Sequence, residues 1–434
     1  MRLLLLSIFS LFVCSALYGQ DVLTLREAID LALLNNYEIR IARNDIQVSG
    51  NDYSPGNAGF LPSLDLNAGY NGTVANTNQT FIGDQSSSRR GATTTRQSAG
   101  AALQWTLFEG LGRVATLNRL ETQYEQQQAL ARNTTEAVLE NVIVSYYDLA
   151  RQQQQLQVLQ EAVAISEERL RIAELRRDLG SASELEVRQA LLDLNTDRAA
   201  LLRQETFLTN TKSAFNQLLV RPLALDYNVE DSIDIEMSLS RELLTTEALD
   251  RNVALGIARQ ERTVAALEIK EVKAERFPTL DLNAGLNYSD LSAESGFLLT
   301  NRSDDFTYGL SLNFNIFDGF DLHRRTQNAT VRLHNADLMV EDLRTRLQTD
   351  LNGAYTDYRN SLALIELEQE NLGLARQNVE IGLERFRLGT ITSIELREVQ
   401  ETLTRAQSQL LIAEFEAKRA ETELLRLSGR LQVE

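Results

Sequence analysis

The sequence is poor in residues that cross-link or break a chain. It has one cysteine, Cys14, together with four prolines, two histidines and one tryptophan in 434 residues. Because Cys14 lies within residues 1–20, a chain that has lost this segment has no cysteine and forms no disulfide bond. We therefore expect its stability to come from apolar burial and from assembly.

A long apolar run occurs only at the amino terminus. Arg2 is followed by the apolar stretch from Leu3 to Val13 and then by small residues, which is the layout of a secretory signal peptide. We predict a signal peptide at residues 1–20 with cleavage near Gly19. A lipidated Cys14 is the less favoured alternative, because a valine directly before the cysteine suits lipoprotein processing poorly.

No later window approaches the run of about 18 apolar residues that a membrane-spanning helix needs. The chain is therefore expected either to stay soluble or to cross a membrane as β-strands. Basic residues are also outnumbered. The chain has 43 Lys and Arg and 61 Asp and Glu, which gives a formal net charge of -18 at pH 7. Nucleic acid is not an expected partner, because binding to phosphates needs a basic surface.

The motifs of catalytic sites are missing as well. The sequence has no G-x-S-x-G nucleophile motif and no glycine-rich phosphate loop. Its two histidines, His323 and His334, are eleven residues apart on one predicted helix. That spacing separates them by about 16 Å, too far to bind one metal ion. We expect no enzyme activity, no cofactor and no bound metal.

The most informative feature present is an internal repeat. The stretch FLPSLDLNAGY at residues 60–70 returns almost letter for letter as RFPTLDLNAGL at residues 276–286, an offset of 216. Asn36 and Asn252 have the same offset, whereas the pairs Leu179-Gly180 and Leu388-Gly389 are 209 apart. The chain is therefore one module written twice, with a loop of variable length inside each copy.

The period of the apolar residues predicts the elements of each repeat. Residues spaced by seven predict long coiled-coil helices, and their members in the first repeat are Val142, Leu149, Leu156, Val163 and Leu170. Leu64, Leu66 and Ala68 alternate with polar residues, as they do in strands.

These patterns divide the chain as follows. The first repeat is expected at 21–220, with an opening helix from Leu25 to about Asp52, a β-hairpin at about 60–108, a long helix at 109–179 and a return helix at 183–219. A linker follows at 221–240. The second repeat is expected at 241–434, with an opening helix from Leu243 to about Glu275, a hairpin at about 277–317, a long helix at 319–388 and a return helix at 392–427.

Each predicted hairpin has strands of about ten residues with one apolar and one polar face, bridged by polar loops that include 73–95 and 289–305. Such strands suit a membrane barrel with a wet interior. One chain offers four strands, and a barrel needs at least about eight, so other copies must close it.

The ordered, duplicated motifs resemble the TolC-type outer-membrane efflux and secretion channels, or outer membrane factors. The resemblance covers nearly the whole chain after residue 20. It rests on EAI…ALLNNYEIR at 27–40, EALDRNVALGIA at 247–258, the Pro-aromatic strand starts, the Phe-acid-Gly strand exits and the two Leu-Gly turns. It implies a homotrimer, with a twelve-stranded outer-membrane β-barrel on a long periplasmic α-helical tunnel built as a coiled-coil bundle.

The resemblance also implies a function and partners. It implies a passive exit duct of a tripartite efflux or type I secretion system in the outer membrane of a Gram-negative bacterium, with a periplasmic extension and contact with outer-membrane lipid. A periplasmic adaptor protein would connect it to an inner-membrane pump of RND or ABC type that delivers small molecules or polypeptides.

In this family the helical tips contact the adaptor and close the tunnel. The matching tip residues here are Leu179, Gly180, Ser181, Ser183, Leu388, Gly389, Thr390 and Thr392. The matching gate residues are Glu186, Glu395, Glu398, Phe386 and Ile391. Three copies of Glu395 and Glu398 would form carboxylate rings that favour cations; alternatively, these acids are solvated residues in the first turn of a helix.

Phe386 and Ile391 stand where the family's best-studied member has a tyrosine and an arginine, so the resemblance does not carry over a hydrogen-bonded lock, and an apolar plug from Phe386 or Ile391 is the alternative. Two other classes of protein stay open at this stage. A secreted coiled-coil scaffold or adhesin stalk would also explain the heptads, although the duplicated alternating strands argue against it. An enzyme would need a cluster of titratable residues, which the sequence does not indicate.

Overall fold

The computed structural model describes residues 22–296 and 298–431. The predicted signal peptide and Cys14 lie outside these residues. The described chain divides into two compact units. The first comprises the described parts of Met1–Ile41, Asn133–Asn252 and Arg346–Glu434, and the second comprises Ala42–Arg132 and Val253–Thr345.

The elements of the first repeat are β1 (Val22–Leu23), α1 (Leu25–Asn35), α2 (Tyr37–Asp52), β2 (Ser63–Thr80), β3 (Ser86–Glu109), α3 (Gly112–Asp178) and α4 (Glu184–Leu218). The segment between the repeats contains β4 (Asn228–Val229). The second repeat has α5 (Arg241–Arg251), α6 (Val253–Ala274), β5 (Thr279–Ala293), β6 (Thr300–Asn313), α7 (Asp321–Arg387) and α8 (Ser393–Leu427).

The two repeats have helices of equal length. Both α3 and α7 contain 67 residues, and both α4 and α8 contain 35. At 1.5 Å per residue, each long helix measures about 100 Å. An offset of 209 residues therefore relates α3 to α7 and α4 to α8 residue by residue.

Each opening helix is two helices, which differs from the single helix expected from the sequence. Asn36 leaves the helical conformation with φ -56° and ψ 131°, and Asn252 does so with φ -60° and ψ 122°. The Asn36 side chain accepts a hydrogen bond from the Glu38 amide at 2.9 Å and donates one to the Leu218 carbonyl at 3.0 Å. Asn252 donates to the Leu427 carbonyl at the same distance of 3.0 Å. Each asparagine thus ends one helix, and its side chain binds the last turn of a return helix.

The core of the first unit lies around the middle of α3. Its buried residues include Ile39, Val142, Leu149, Phe215 and Tyr227. The strands β1 and β4 form a parallel pair beside it. The Gln153 amide extends this pair, since it donates to the Val229 carbonyl at 3.1 Å and accepts from the Val229 amide at 3.0 Å.

The second unit contains a four-stranded antiparallel sheet in the order β2-β3-β5-β6. The two hairpins join through β3 and β5, where Ala101 pairs with Leu286. Both faces of the sheet are solvent-exposed in a single chain, and the neighbouring residues Leu66 and Asn67 are examples from opposite faces. The strands β2 and β6 are the edges of this sheet.

The strands are longer than expected, with 18 residues in β2 and 24 in β3. Much of the segment expected to be a loop at 73–95 continues the ladder, where Thr73 pairs with Thr94. Threonine is β-branched and fits a pleated strand well, so Thr-rich segments extend the hairpin although they are polar. Among the described helices, none combines the length and the apolar character needed to cross a membrane.

Candidate functional site

The candidate site consists of the two helical turns that carry the Leu-Gly pairs, both in the first unit. Gly180 has φ 74° and Gly389 has φ 75°, a left-handed conformation that ends a helix and suits glycine. The amide of Ser181 donates to the Arg176 carbonyl at 2.8 Å, and the amide of Thr390 donates to the Arg385 carbonyl at 2.9 Å. The two turns therefore share this backbone hydrogen bond.

Both return helices begin with a reciprocal cap. The Ser183 hydroxyl accepts from the Glu186 amide at 3.3 Å, and the Ser183 amide donates to the Glu186 carboxylate at 3.2 Å. Thr392 and Glu395 repeat this arrangement, with the Thr392 amide 2.7 Å from the Glu395 carboxylate. Such a capping box satisfies amides that would otherwise lack partners at the start of a helix.

The cap changes the interpretation of the predicted gate acids. The backbone and side-chain hydrogen bonds from Thr392 lower the pKa of Glu395. The Glu395 carboxylate is thus held against its own turn, as is that of Glu186. Glu398 lies one turn further along α8, with an exposed side chain. Glu398 is therefore better placed than the two capping glutamates to contribute to a carboxylate ring.

Large apolar side chains project into solvent at both turns. Leu179 is 74% exposed and its counterpart Leu388 is 76% exposed. Leu185 and its counterpart Ile394 are both 74% exposed. Exposed apolar residues are ordinary when single, but a repeated set at the end of two hairpins is typical of a docking surface.

Phe386 is fully buried, which differs from the exposed position that an apolar plug requires. Its ring packs in a cluster with Ile172, Val187 and Leu396, and Ile391 lies half-buried against the same cluster. The cluster joins α3 and α4 of the first hairpin to α7 and α8 of the second. In this conformation Phe386 holds the two hairpins together and does not point into an opening.

Three side-chain contacts across the hairpins were not predicted from the sequence. The Arg176 guanidinium lies 5.1 Å from the centre of the Phe386 ring. Arg397 on α8 binds both carboxylate oxygens of Asp197 on α4, at 2.6 and 2.9 Å. The third contact is an ion pair from Arg387 on α7 to Glu168 on α3 at 3.4 Å.

The two contacts with carboxylates are charge-assisted hydrogen bonds, and the pair of Arg397 and Asp197 is bidentate, the stronger geometry for such a pair. Its side chains are only 20% and 13% exposed, so solvent screens the pair less than a surface ion pair. The partners in each contact are about 200 residues apart in sequence, so no local signal indicates them.

The sequence profile of the outer membrane efflux protein family matches two segments of the chain, residues 28–219 and 244–430. The two segments correspond to the two structural repeats. Together they include both helical turns and both return helices.

Known proteins are similar over nearly the whole chain. Protein CyaE of Bordetella pertussis is 25% identical over 414 residues, which cover 95% of this chain and 85% of CyaE. The outer membrane efflux protein BepC of Brucella suis is 21% identical over 421 residues, which cover 96% of this chain and 88% of BepC.

Solved structures show the same fold. VceC of Vibrio cholerae, an outer membrane protein, superposes with a TM-score of 0.75 at 17% identity, covering 93% of this chain and 96% of VceC. The outer membrane channel CmeC of Campylobacter jejuni superposes with a TM-score of 0.76 at 16% identity, covering 93% of this chain and 85% of CmeC. None of these similarities supports the alternative of a secreted scaffold or adhesin stalk.

Proposed function

The chain belongs to the outer membrane efflux protein family, and from this membership we propose that three copies form the passive exit duct of a tripartite export system. It is an outer-membrane channel component with a periplasmic helical portion. In the proposed system, a periplasmic adaptor connects the trimer to an inner-membrane pump of RND or ABC type, and the exported molecules are small compounds or polypeptides.

The four-stranded sheet supports a trimer. Its edge strands, β2 and β6, have unpaired backbone amides and carbonyls on their outer sides. In the hydrocarbon of a membrane every such group must be paired, so the sheet must close on itself or on other copies. Three copies of four strands give a closed barrel of twelve, which lies in the range of known outer-membrane barrels. Outer-membrane lipid would then contact the apolar face of the strands.

The exposed apolar residues at the helical turns carry the proposal of adaptor docking. Leu179, Leu185, Leu388 and Ile394 form two equivalent pairs beside Gly180 and Gly389. A partner that covers them removes this apolar surface from water. The hydroxyls of Ser181 and Thr390 contribute to the polar rim around this surface. Ser183 and Thr392 complete the rim, because each begins a return helix at the same turn.

A complementation assay tests the docking surface. We expect Leu179→Ser with Leu388→Ser to abolish export while the protein remains a trimer in the outer membrane. Met237→Ser is the matched control, since Met237 is equally exposed, at 68%, in the segment between the repeats. Full export by the double variant, with normal trimers, would exclude docking at the turns.

We place the gate of the duct at the same turns, with Glu398 as the acid of the proposed constriction. Glu186 and Glu395 cap the return helices beside it, and Phe386 and Ile391 pack the two hairpins against each other. The chain is proposed to do no chemistry of its own, to bind no cofactor and to use the energy of the pump.

A further inference from the structure

The two repeats have the same fold but different surroundings. Val158 and Ile172 on α3 are 8% and 2% exposed, and Ile172 packs in a cluster with residues of α4, α7 and α8 of the same chain. Their counterparts 209 residues later, Leu367 and Ile381 on α7, are also apolar but are 53% and 52% exposed. This face of α7 therefore has the composition of a covered face and has nothing on it in a single chain.

The return helices show the same contrast. Gln400 on α8 is 5% exposed, whereas its counterpart Leu191 on α4 is 45% exposed. The neighbouring Leu192 is also exposed, at 60%. The buried position thus has a polar residue, and the exposed one has an apolar residue. This reversal is expected if another molecule covers α4.

The packing of α8 on α3 gives the register for such a cover. The Gln407 amide on α8 donates to the Glu161 carboxylate on α3 at 2.7 Å. The residue equivalent to Glu161 in the second repeat, 209 positions later, is Glu370 on α7. The residue equivalent to Gln407 in the first repeat, 209 positions earlier, is Arg198 on α4. A glutamate would therefore face an arginine, a stronger contact than the one within the chain.

We propose that α7 of one copy packs on α4 of a second copy in the register that α3 and α8 adopt within one chain, so that Glu370 binds Arg198 of the partner subunit. This inference rests on the proposed trimer, in which each copy has one such face of each kind. Leu367 and Ile381 are covered by α4 in this arrangement, and Leu191 is covered by α7.

When the same register is applied at the turns, the residues that meet between copies differ in type from those that meet within a chain. Within a chain, Arg176 lies over Phe386. The counterparts of these residues are Arg385 and Arg177, two arginines, which face each other between copies. The cation–π contact within a chain therefore has no counterpart between copies, where Arg177 is already paired with Asp178 at 2.8 Å and Glu184 at 3.7 Å in its own chain.

Thiol cross-linking tests the register. The chain has one cysteine, Cys14, so a Cys14→Ser background contains none. In that background, Glu370→Cys with Arg198→Cys should give dimers and trimers on reaction with a short bis-maleimide, seen by denaturing electrophoresis. Glu161→Cys with Gln407→Cys should link within a chain and give no increase in mass. Glu370→Cys with Thr209→Cys, displaced by eleven residues or about 16 Å along α4, should give no product.

A charge exchange provides the second test. In a Glu167→Gln background, Glu370→Arg and Arg198→Glu should each lower the temperature at which the trimer dissociates in detergent, and the double exchange should restore it. Arg198 also binds Glu167 within the chain at 2.7 Å. Glu167→Gln is therefore the control, and it should leave the dissociation temperature unchanged.

The outcomes separate the inference from the proposed function. A trimeric native mass without cross-links at 370 and 198, or with cross-links only at the displaced pair, overturns the register and leaves the trimer standing. A monomeric native mass overturns the trimer and the inference together. If the double charge exchange does not restore the dissociation temperature, the ion pair between Glu370 and Arg198 is overturned.

Discussion

The Arg176 guanidinium lies 5.1 Å from the centre of the Phe386 ring. Arg176 lies on α3 and Phe386 on α7, which are the equivalent long helices of the two repeats. The contact joins the ends of α3 and α7 in one chain. A cation over an aromatic ring contributes about 0.5–2 kcal/mol, depending on how far it is desolvated. Phe386 is fully buried, so this contact lies toward the stronger end of that range.

We expect Arg176→Gln to raise the single-channel conductance in planar bilayers, because it removes the attraction that holds the two turns of a chain together. The matched control is Arg385→Gln at the equivalent position of the second repeat. It removes a positive charge that faces Arg177 of the partner subunit in the proposed trimer, so its conductance should be unchanged or lower. Equal increases in both variants would contradict the assignment of the stabilising contact to Arg176 and Phe386 within one chain.

Glu398→Gln should weaken the block of the channel by multivalent cations. Glu398 is the exposed acid beyond the cap of α8, and three copies would concentrate negative charge at the constriction. Glu395→Gln removes an equal charge, but glutamine also completes a capping box, so the helix is preserved. We expect the larger effect from Glu398→Gln, measured as the blocking concentration of a trivalent cation. Identical block in wild type and in Glu398→Gln would remove Glu398 from the gate.

Glu414→Gln should stabilise the protein at neutral pH. Burial raises the pKa of Glu414, which lies near Asp234, Arg359 and Glu366. The folded state therefore favours the protonated carboxyl. This preference contributes stability below the unfolded pKa, and the contribution is lost as pH rises through the folded pKa. Each 1 kcal/mol gained by the variant raises the melting temperature by about 2–4 °C for a domain of 150–250 residues.

The pH dependence distinguishes stabilisation by removal of a buried carboxylate charge from stabilisation that does not depend on that charge. The advantage of Glu414→Gln should disappear below about pH 4, where both states of the wild type are protonated. Glu205→Gln, at the equivalent exposed position of the first repeat, should show little change at any pH. A gain from Glu414→Gln that persists at low pH would show that desolvation of the carboxylate is not its cause.

Gly110→Ala should prevent folding of the second unit, whereas Gly319→Ala should be tolerated. Both glycines have left-handed φ, at 66° and 65°, a conformation that costs an alanine about 1–2 kcal/mol. An added Cβ at Gly110 would lie 2.4 Å from the Ala274 carbonyl oxygen and 2.7 Å from the Phe277 side chain. At Gly319 nothing lies within 4 Å. The yield of folded protein and its melting temperature check the difference, and equal losses would contradict it.

The repeat could be recognised from the sequence because its markers are local. The Leu-Gly turns, the capping hydroxyls at Ser183 and Thr392, and the heptads all follow from short patterns of residue type. The breaks at Asn36 and Asn252 could not be predicted with the same rules. Both residues lie within helical periodicity, and each bonds to a carbonyl in a helix more than 170 residues away.

The site was predicted less completely than the fold. The exposure of Leu179 and Leu388 follows from their place beside a glycine turn. The burial of Phe386 does not, because it depends on Arg176, Val187 and Leu396 meeting across two hairpins. The gate acids were predicted by position, and their hydrogen bonds show that Glu186 and Glu395 cap the return helices.

The equal length of α3 and α7 restricts how this gene can change. One residue inserted into either helix would advance everything beyond it by about 1.5 Å and rotate it by about 100°. In the first repeat this would turn Arg176 away from Phe386. We expect natural insertions and deletions to occur as whole heptads and at the same level in both repeats, so that the two halves of the gene change length together.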